Sequence, residues 1–158
     1  MLIVVTSGSK GGTGKSTVAL GLSAILSLRG FGHELFDYSC SLGVCTGVYY
    51  YLSDFVDGVN RLSRMVKVRQ GLPPPQDYSG LAIVDLPPMS IAQPEFVDLL
   101  GRADVLVVVS SYEPDSVVSA ERVLEAYPGS RVVKVCNRAS MEGCGHYLKV
   151  TPESPPSS

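Results

Sequence analysis

The sequence predicts an α/β domain with a mostly parallel, twisted sheet and helices on both of its faces. Short runs rich in Val and Ile alternate with stretches of helical length. The strongest of these runs are apolar throughout, which is typical of strands that are buried on both faces. Strands separated by helices form β-α-β units, and such sheets bind ligands beyond the carboxyl ends of their strands.

The first half of the chain supplies two strands and one clear helix. The helix is indicated by apolar residues at helical spacing, and Gly30 directly after it is a suitable stop. A later segment carries two aspartates followed by basic residues, and we expect it to be helical in part. The expected elements are a strand at 2–6, a helix at 15–29, a strand at 33–37 and the partly helical segment at 48–68.

The second half repeats the strand–helix alternation after a proline-rich connection at residues 71–80. The run at 104–110 is the most hydrophobic of the chain, and Asp115 or Ser116 is the expected cap of the helix that follows it. The expected elements are strands at 81–85, 104–110 and 131–136, and helices at 91–100 and 115–126.

Length and composition indicate one globular domain. The chain has 158 residues, of which 45% are hydrophobic and 18% charged, so it can bury a real core but is short for two domains. We expect a single nucleotide-binding domain over residues 1–153 and a flexible tail at 154–158. The net charge of −2 excludes a whole-molecule attraction to nucleic acid or anionic lipid.

The amino-terminal segment predicts a cytoplasmic protein. It lacks a basic region, and its apolar run at residues 2–5 is too short for a signal peptide or a membrane span. In a reducing compartment the four cysteines are expected as free thiols, with a disulfide expected only in a hyperthermophile. Metal binding by Cys40 and Cys45, or by Cys136, Cys144 and His146, stays open because no paired C-x-x-C pattern is present.

A glycine-rich loop lies between the first strand and the first helix. Residues 8–17 read Gly-Ser-Lys-Gly-Gly-Thr-Gly-Lys-Ser-Thr. Glycines allow backbone N–H groups to turn toward a phosphate, and the helix N-terminus adds unpaired donors and a positive dipole end. In this context Lys15 is suited to the β- and γ-phosphates and Ser16 to Mg²⁺. The segment therefore predicts a phosphate-binding loop, with ATP and Mg²⁺ as its cofactors.

The same loop departs from the strict G-x-x-x-x-G-K-[ST] pattern, because Ser9 stands at its first position and a second lysine, Lys10, follows. This arrangement resembles the deviant Walker A motif of the ParA/MinD family of dimerising P-loop ATPases. Four later segments resemble that family in order. They are Asp-Leu-Pro at 85–87, the strand-to-helix turn at 113–119, Cys-Asn-Arg at 136–138 and Thr-Pro-Glu at 151–153.

The resemblance implies a set of site residues. Lys10 is expected to reach the phosphates of a partner subunit in an ATP-dependent homodimer, and Lys15 to hold them within its own subunit. Ser16 and Asp85 are the expected Mg²⁺ residues, and Asp37 matches the first aspartate of the family's Asp-x-Asp switch. The catalytic candidates are thus Lys10, Lys15 and Asp37, and the nucleotide-binding candidates are Gly11, Gly12, Thr13, Gly14, Lys15, Ser16, Thr17 and Asn137.

Each assignment has a plainer alternative that the sequence leaves open. Asp85 could cap a turn, Asp37 could be a solvated strand-end carboxylate, and Lys10 could face solvent. Asn137 is expected to contact adenine, but Asn also favours turns.

Two departures from the family bear on hydrolysis and on membrane anchoring. Ser39 replaces the second switch aspartate, and residues 38–53 contain no Asp or Glu. Because a water-positioning group is worth about 10²-fold in rate, we expect slow ATP hydrolysis. The second departure is length: the chain stops at Ser158 without a MinD-like amphipathic helix, so membrane anchoring is not expected.

A basic segment is the candidate DNA surface. Arg61, Arg64, Lys67 and Arg69 lie within nine residues that contain no acid, which suits a phosphate backbone but equally suits a solvated helix face.

The favoured function is a ParA/MinD-like ATPase in DNA partition or cargo positioning, with a possible partner protein. The alternatives are a slow or non-hydrolysing nucleotide-dependent regulator, a metal-centre maturation ATPase, and a small-molecule kinase or synthetase on the same fold.

Overall fold

The computed structural model describes residues 1–49, 65–73 and 80–137. These residues form a single parallel sheet with helices between several of its strands. The predicted tail at 154–158 and the Thr-Pro-Glu segment lie outside the described residues. The strands are β1 (Leu2–Thr6), β2 (His33–Asp37), β3 (Val66–Gln70), β4 (Ala82–Asp85), β5 (Val105–Ser110) and β6 (Val132–Cys136), and the helices are α1 (Lys15–Leu28), α2 (Pro94–Arg102) and α3 (Pro114–Ala126).

The six strands of the described residues pair in the order β3-β2-β4-β1-β5-β6, and every pairing is parallel. The predicted α/β class with a parallel sheet is therefore confirmed. β1 lies at the centre, between β4 and β5, so the loop that follows β1 emerges at the middle of the carboxyl edge. Asp37 and Asp85 end neighbouring strands and are paired in the β2–β4 register.

The two faces of the sheet bury separate cores, which gives the predicted three layers. Alternate residues of one strand point to opposite faces, so that Ile3 and Val5 pack with α1 whereas Leu2 and Val4 pack with α2 and α3. At about 25 cal/mol per Å² of buried apolar surface, these cores supply the main stabilising free energy.

Glycine and proline residues determine where the helices begin and end. α1 ends in a Schellman motif: the Gly30 N–H donates to Ser27 O and the Phe31 N–H to Leu26 O, with Gly30 at φ 82°. α2 begins at Pro94, three residues later than predicted, because proline favours the first helical position. α3 likewise begins at Pro114, and the predicted cap by Asp115 or Ser116 is wrong, since neither side chain caps the helix.

The prediction of a partly helical segment at 48–68 was wrong for its last residues. Val48 and Tyr49 are helical, but residues 66–70 form β3, an edge strand along β2. Its alternation of apolar and charged residues suits an edge, where one face meets water. Lys67 and Arg69 therefore lie on a strand and not on a helix.

Candidate functional site

The loop after β1 is folded against its own neighbours before any ligand is considered. The hydroxyl oxygens of Ser7 and Thr13 are hydrogen-bonded at 2.5 Å, and Asn137 Nδ2 donates to Thr13 O at 2.9 Å. Gly14 ends the loop at φ 87°, and a Cβ there would lie 1.9 Å from Asn137 Nδ2. Only glycine fits this position, which explains why Gly14 directly precedes Lys15, the first residue of α1.

The start of α1 has no side-chain cap and no acidic residue in its first turn. Its first backbone N–H groups therefore keep the partial positive charge that attracts anions. A cavity of about 260 Å³ opens beside them. Its lining is made by Lys10, Gly11, Gly12, Thr13, Gly14, Lys15, Ser16, Thr17, Ser39, Thr46, Pro87 and Pro88.

Asp85 lies beneath this cavity and joins two of the predicted residues. Lys15 Nζ lies 3.1 Å from Asp85 Oδ1, and Ser16 Oγ donates to Asp85 Oδ2 at 2.7 Å. The Val48 N–H donates to the same Oδ2 at 3.1 Å. Burial raises the pKa of Asp85 above its ordinary value, while the Lys15 charge and the Ser16 hydroxyl act in the opposite direction.

Asp37 is buried next to Asp85 and is also fully hydrogen-bonded. Its Oδ1 accepts from the Ser39 N–H at 2.8 Å and from Ser39 Oγ at 2.5 Å, and its Oδ2 accepts from the Tyr49 N–H at 3.0 Å. The alternative of a solvated strand-end carboxylate is therefore wrong for Asp37. Backbone amides on either side of residues 40–47 thus bind the two carboxylates, those of Ser39 and Tyr49 to Asp37 and that of Val48 to Asp85.

Lys10 points away from this buried network toward α3. Its Nζ lies 2.8 Å from Asp115 Oδ2 and 3.1 Å from Glu113 Oε2. These hydrogen bonds raise the pKa of Lys10, and the one from Lys10 holds the pKa of Asp115 below its ordinary value. All three side chains are substantially exposed, so this ion-pair cluster is open to exchange with another anion.

The cysteine prediction was wrong where the structure tests it. Cys40 and Cys45 form a disulfide, and Cys136 is also disulfide-bonded, so these are not free thiols. Asp37, Cys40 and Cys45 lie close enough for a metal site. However, both sulfurs are used in the disulfide and both carboxylate oxygens accept hydrogen bonds, so this form offers no ligand set. Cys144 and His146 lie outside the described residues.

The basic segment gains little support as a surface for DNA. Arg69 Nε lies 3.2 Å from Glu34 Oε1, so one of the four cations is already paired with an acid. Arg61 and Arg64 lie outside the described residues. Within the part of the chain that the structure describes, no helix is long and apolar enough to cross a membrane.

Sequence reasoning missed three parts of this site. The first is the pairing of Glu113 and Asp115 with Lys10. The second is the donation of hydrogen bonds to the two aspartates by the amide groups of Val48 and Tyr49. The third is the close approach of Gly47 to the carboxylates of Asp37 and Asp85. The Glu-Pro-Asp sequence at the start of α3 was the available signal, because the turn after β5 must lie at the same sheet edge as Lys10. The two amide donors could not be predicted, because backbone N–H groups are present in every residue except proline.

Comparisons with known proteins agree on the fold. No protein-family model and no curated protein matches the sequence. Among solved structures, the MinD cell division protein of Aquifex aeolicus matches with a TM-score of 0.60 and 22% identity, over 94% of this chain and 75% of that one. The MinC:MinD cell division protein complex of the same organism matches with a TM-score of 0.59 and 20% identity, over 94% and 74%. The chain therefore shares the α/β fold of these MinD structures.

Proposed function

We propose that this protein binds ATP with Mg²⁺ and acts as a ParA/MinD-like ATPase that dimerises in the ATP-bound form. One observation carries the proposal. Lys15 Nζ and Ser16 Oγ converge on the buried carboxylate of Asp85, directly under a glycine-rich loop at the carboxyl edge of the sheet. This places a cation, a hydroxyl and an acid beside uncapped helix amides, which is the donor set for a magnesium–triphosphate.

The residues present fit the proposed cofactors. Backbone amides of the loop and Lys15 would hold the phosphates, and the Ser16 hydroxyl would be a direct ligand of Mg²⁺. Asp85 would act from the outer shell, because Mg²⁺ keeps several waters when one or two protein oxygens bind it. When bound, Mg²⁺ supplies charge neutralisation at the phosphates. Asn137 remains our proposed adenine contact, although its Nδ2 here donates to the loop.

Lys10 is the proposed link to the second subunit. It is held by Glu113 and Asp115 at the surface, and solvent-exposed ion pairs contribute little to stability. A partner's triphosphate carries more negative charge than either carboxylate and would compete for the same ammonium group. Dimerisation then follows from an exchange of anions at Lys10.

The test is the molecular mass in solution with ATP, with ADP and without nucleotide. We expect a dimer of the wild-type protein with ATP alone and a monomer of Lys10→Ala under all three conditions. Lys67→Ala is the matched control, because Lys67 is an exposed lysine on an edge strand, and it should dimerise like the wild type. A dimer of Lys10→Ala, or a wild-type monomer with ATP bound, would contradict the scheme.

Slow hydrolysis defines the second candidate, a nucleotide-dependent switch. The cavity rim carries a hydroxyl at Ser39 where the resemblance places an aspartate, and that hydroxyl already donates to Asp37. Single-turnover hydrolysis with excess protein should therefore be slow, and Ser39→Asp should accelerate it by up to about 10²-fold. Fast hydrolysis by the wild type would remove this candidate and assign water positioning to Asp37.

The cellular role follows the same resemblance. We propose cargo positioning or DNA partition with a partner protein, in the cytoplasm. None of the described contacts favours DNA, so a salt-dependent binding assay is the direct check.

A further inference from the structure

The segment after β2 is a small hairpin closed by a disulfide. Ser41 and Val44 exchange backbone hydrogen bonds of 2.8 and 2.9 Å, and the Cys40–Cys45 disulfide encloses them. Leu42 and Gly43, the two residues at the tip, have φ angles of 50° and 79°. Two consecutive positive φ values are the signature of a type I′ turn.

Leu42 is poorly suited to this turn. A left-handed conformation brings Cβ close to the following carbonyl oxygen, and Asn, Asp or Gly are the usual residues there. The Leu42 side chain is fully exposed, so it gains no packing that would offset the strain. The disulfide is the covalent constraint that holds the turn in place.

The hairpin is joined to the cavity at both of its ends. Ser39 and Thr46 flank the disulfide and both line the cavity, and the Thr46 N–H donates to Ser39 Oγ at 3.0 Å. Ser39 is bonded to Asp37, and the amide of Val48 to Asp85. The hairpin is thus hydrogen-bonded to the cavity rim and, through Ser39, to Asp37.

We propose that the Cys40–Cys45 disulfide is a redox switch that sets the nucleotide affinity of this site, an inference that rests on the proposed function. Both cysteines are partly exposed, so a dithiol reductant can reach them. One of its thiolates attacks a protein sulfur and its second thiol resolves the mixed disulfide. Two electrons and two protons pass to Cys40 and Cys45, which become thiols, while the reductant becomes a disulfide.

Reduction removes the constraint on the strained turn. Leu42 then relaxes out of the left-handed region, and Ser39 and Thr46 lose their fixed places at the rim. Nucleotide binding to the reduced protein must order this segment again, and that conformational cost lowers the affinity.

The experiment measures the affinity for a fluorescent ATP analogue before and after dithiothreitol, with the thiol state counted by mass spectrometry after alkylation. We expect affinity to fall about tenfold on reduction, which corresponds to fixing the backbone of about one further residue on binding. Cys40→Ser/Cys45→Ser should bind as weakly as the reduced wild type and should not respond to dithiothreitol. Cys136→Ser should keep the response, which separates this disulfide from the one that involves Cys136.

Leu42→Asn tests independently whether relaxation of the strained turn causes the loss of affinity on reduction. Asn-Gly is the preferred pair for a type I′ turn, so this variant should hold the hairpin without the disulfide and lose much of the redox response. Equal or tighter binding by the reduced wild type, or Cys40 and Cys45 remaining thiols in oxidised protein, would overturn the switch and leave the proposed function standing. Absence of nucleotide binding in both redox states would instead overturn the proposed function.

Discussion

The two lysines of the glycine-rich loop lie five residues apart and have opposite surroundings. Lys15 is bonded to Asp85, and their side chains are 11% and 0% exposed. Lys10 is bonded to Glu113 and Asp115, and the side chains of Lys10 and Asp115 are 31% and 66% exposed. Burial strengthens an ion pair but makes the loss of one partner costly, whereas solvent weakens an exposed pair.

The different surroundings suit the two lysines to different proposed roles, phosphate binding within the subunit for Lys15 and contact with a second subunit for Lys10. Lys15 shares Asp85 with the Ser16 hydroxyl and the Val48 amide, so it contributes to folding and to the proposed phosphate site. Lys10 can leave its partners with little loss of stability, as its proposed role toward a second subunit requires. Stability and nucleotide-dependent assembly should therefore respond to different substitutions.

The largest expected effect is that of Lys15→Met. It leaves the buried carboxylate of Asp85 without its cation, and breaking a buried pair in this way costs about 3 kcal/mol of unfolding free energy. Nucleotide binding should be lost as well. Denaturant unfolding and calorimetric titration with ATP measure the two effects.

The pH dependence of the Lys15→Met deficit identifies its cause. The folded-state pKa of Asp85 is raised above 3.8 by burial, and removal of the Lys15 charge raises it further. The folded variant then holds the proton of Asp85 more tightly than the folded wild type does. The deficit is therefore small at pH values below the folded-state pKa of wild-type Asp85, grows as pH rises between the two folded-state pKa values, and is constant above them. Lys15→Met/Asp85→Asn should recover part of the stability but no nucleotide binding. A deficit independent of pH would contradict this explanation.

Gly47→Ala disturbs the same buried network from the other side. A Cβ at Gly47 would lie 2.6 Å from Asp37 Oδ1, 2.7 Å from Asp85 Oδ2 and 2.9 Å from Ser39 Oγ. Such overpacking costs about 2 kcal/mol, measurable by chemical denaturation. Gly21→Ala is the matched control, because a Cβ there meets nothing within 4 Å, and alanine in a helix should stabilise by up to about 1 kcal/mol. Equal effects of the two substitutions would show that residue 47 does not pack against the aspartates.

The fold was predictable from the sequence wherever the apolar pattern was strong. The bounds of β1 and β2 matched the prediction, and Gly30 marked the end of α1 correctly. β3 was missed because Val66 and Val68 alternate with charged residues, and a short alternating run can be assigned to either a helix end or an edge strand. Strand order also required the structure, because local sequence does not specify which strands pair.

The candidate site was predictable to the extent that its residues follow strand ends. The loop, Ser16 and Asp85 come together because β1 and β4 are neighbours. The Cys40–Cys45 disulfide was not predictable, since cysteine chemistry depends on compartment and geometry. The contacts of Lys10 depend on the distance between the first loop and the start of α3, 105 residues further along the chain, which spacing along the chain does not reveal.

The smallest expected effect on stability is that of Asp115→Asn, and it sharpens the contrast between the two lysines. Asp115 lies on the surface, so we expect no change in the midpoint of denaturation. Removing its charge leaves Lys10 held by Glu113 alone, and the ATP-dependent dimer should tighten roughly twofold because less must be displaced from the ammonium group. Analytical ultracentrifugation with ATP measures that constant, and Glu125→Gln, an acid of the same helix, is the control. An unchanged or weaker dimer of Asp115→Asn would mean that the pair with Lys10 does not compete with assembly, and the exchange of anions at Lys10 would have to be abandoned.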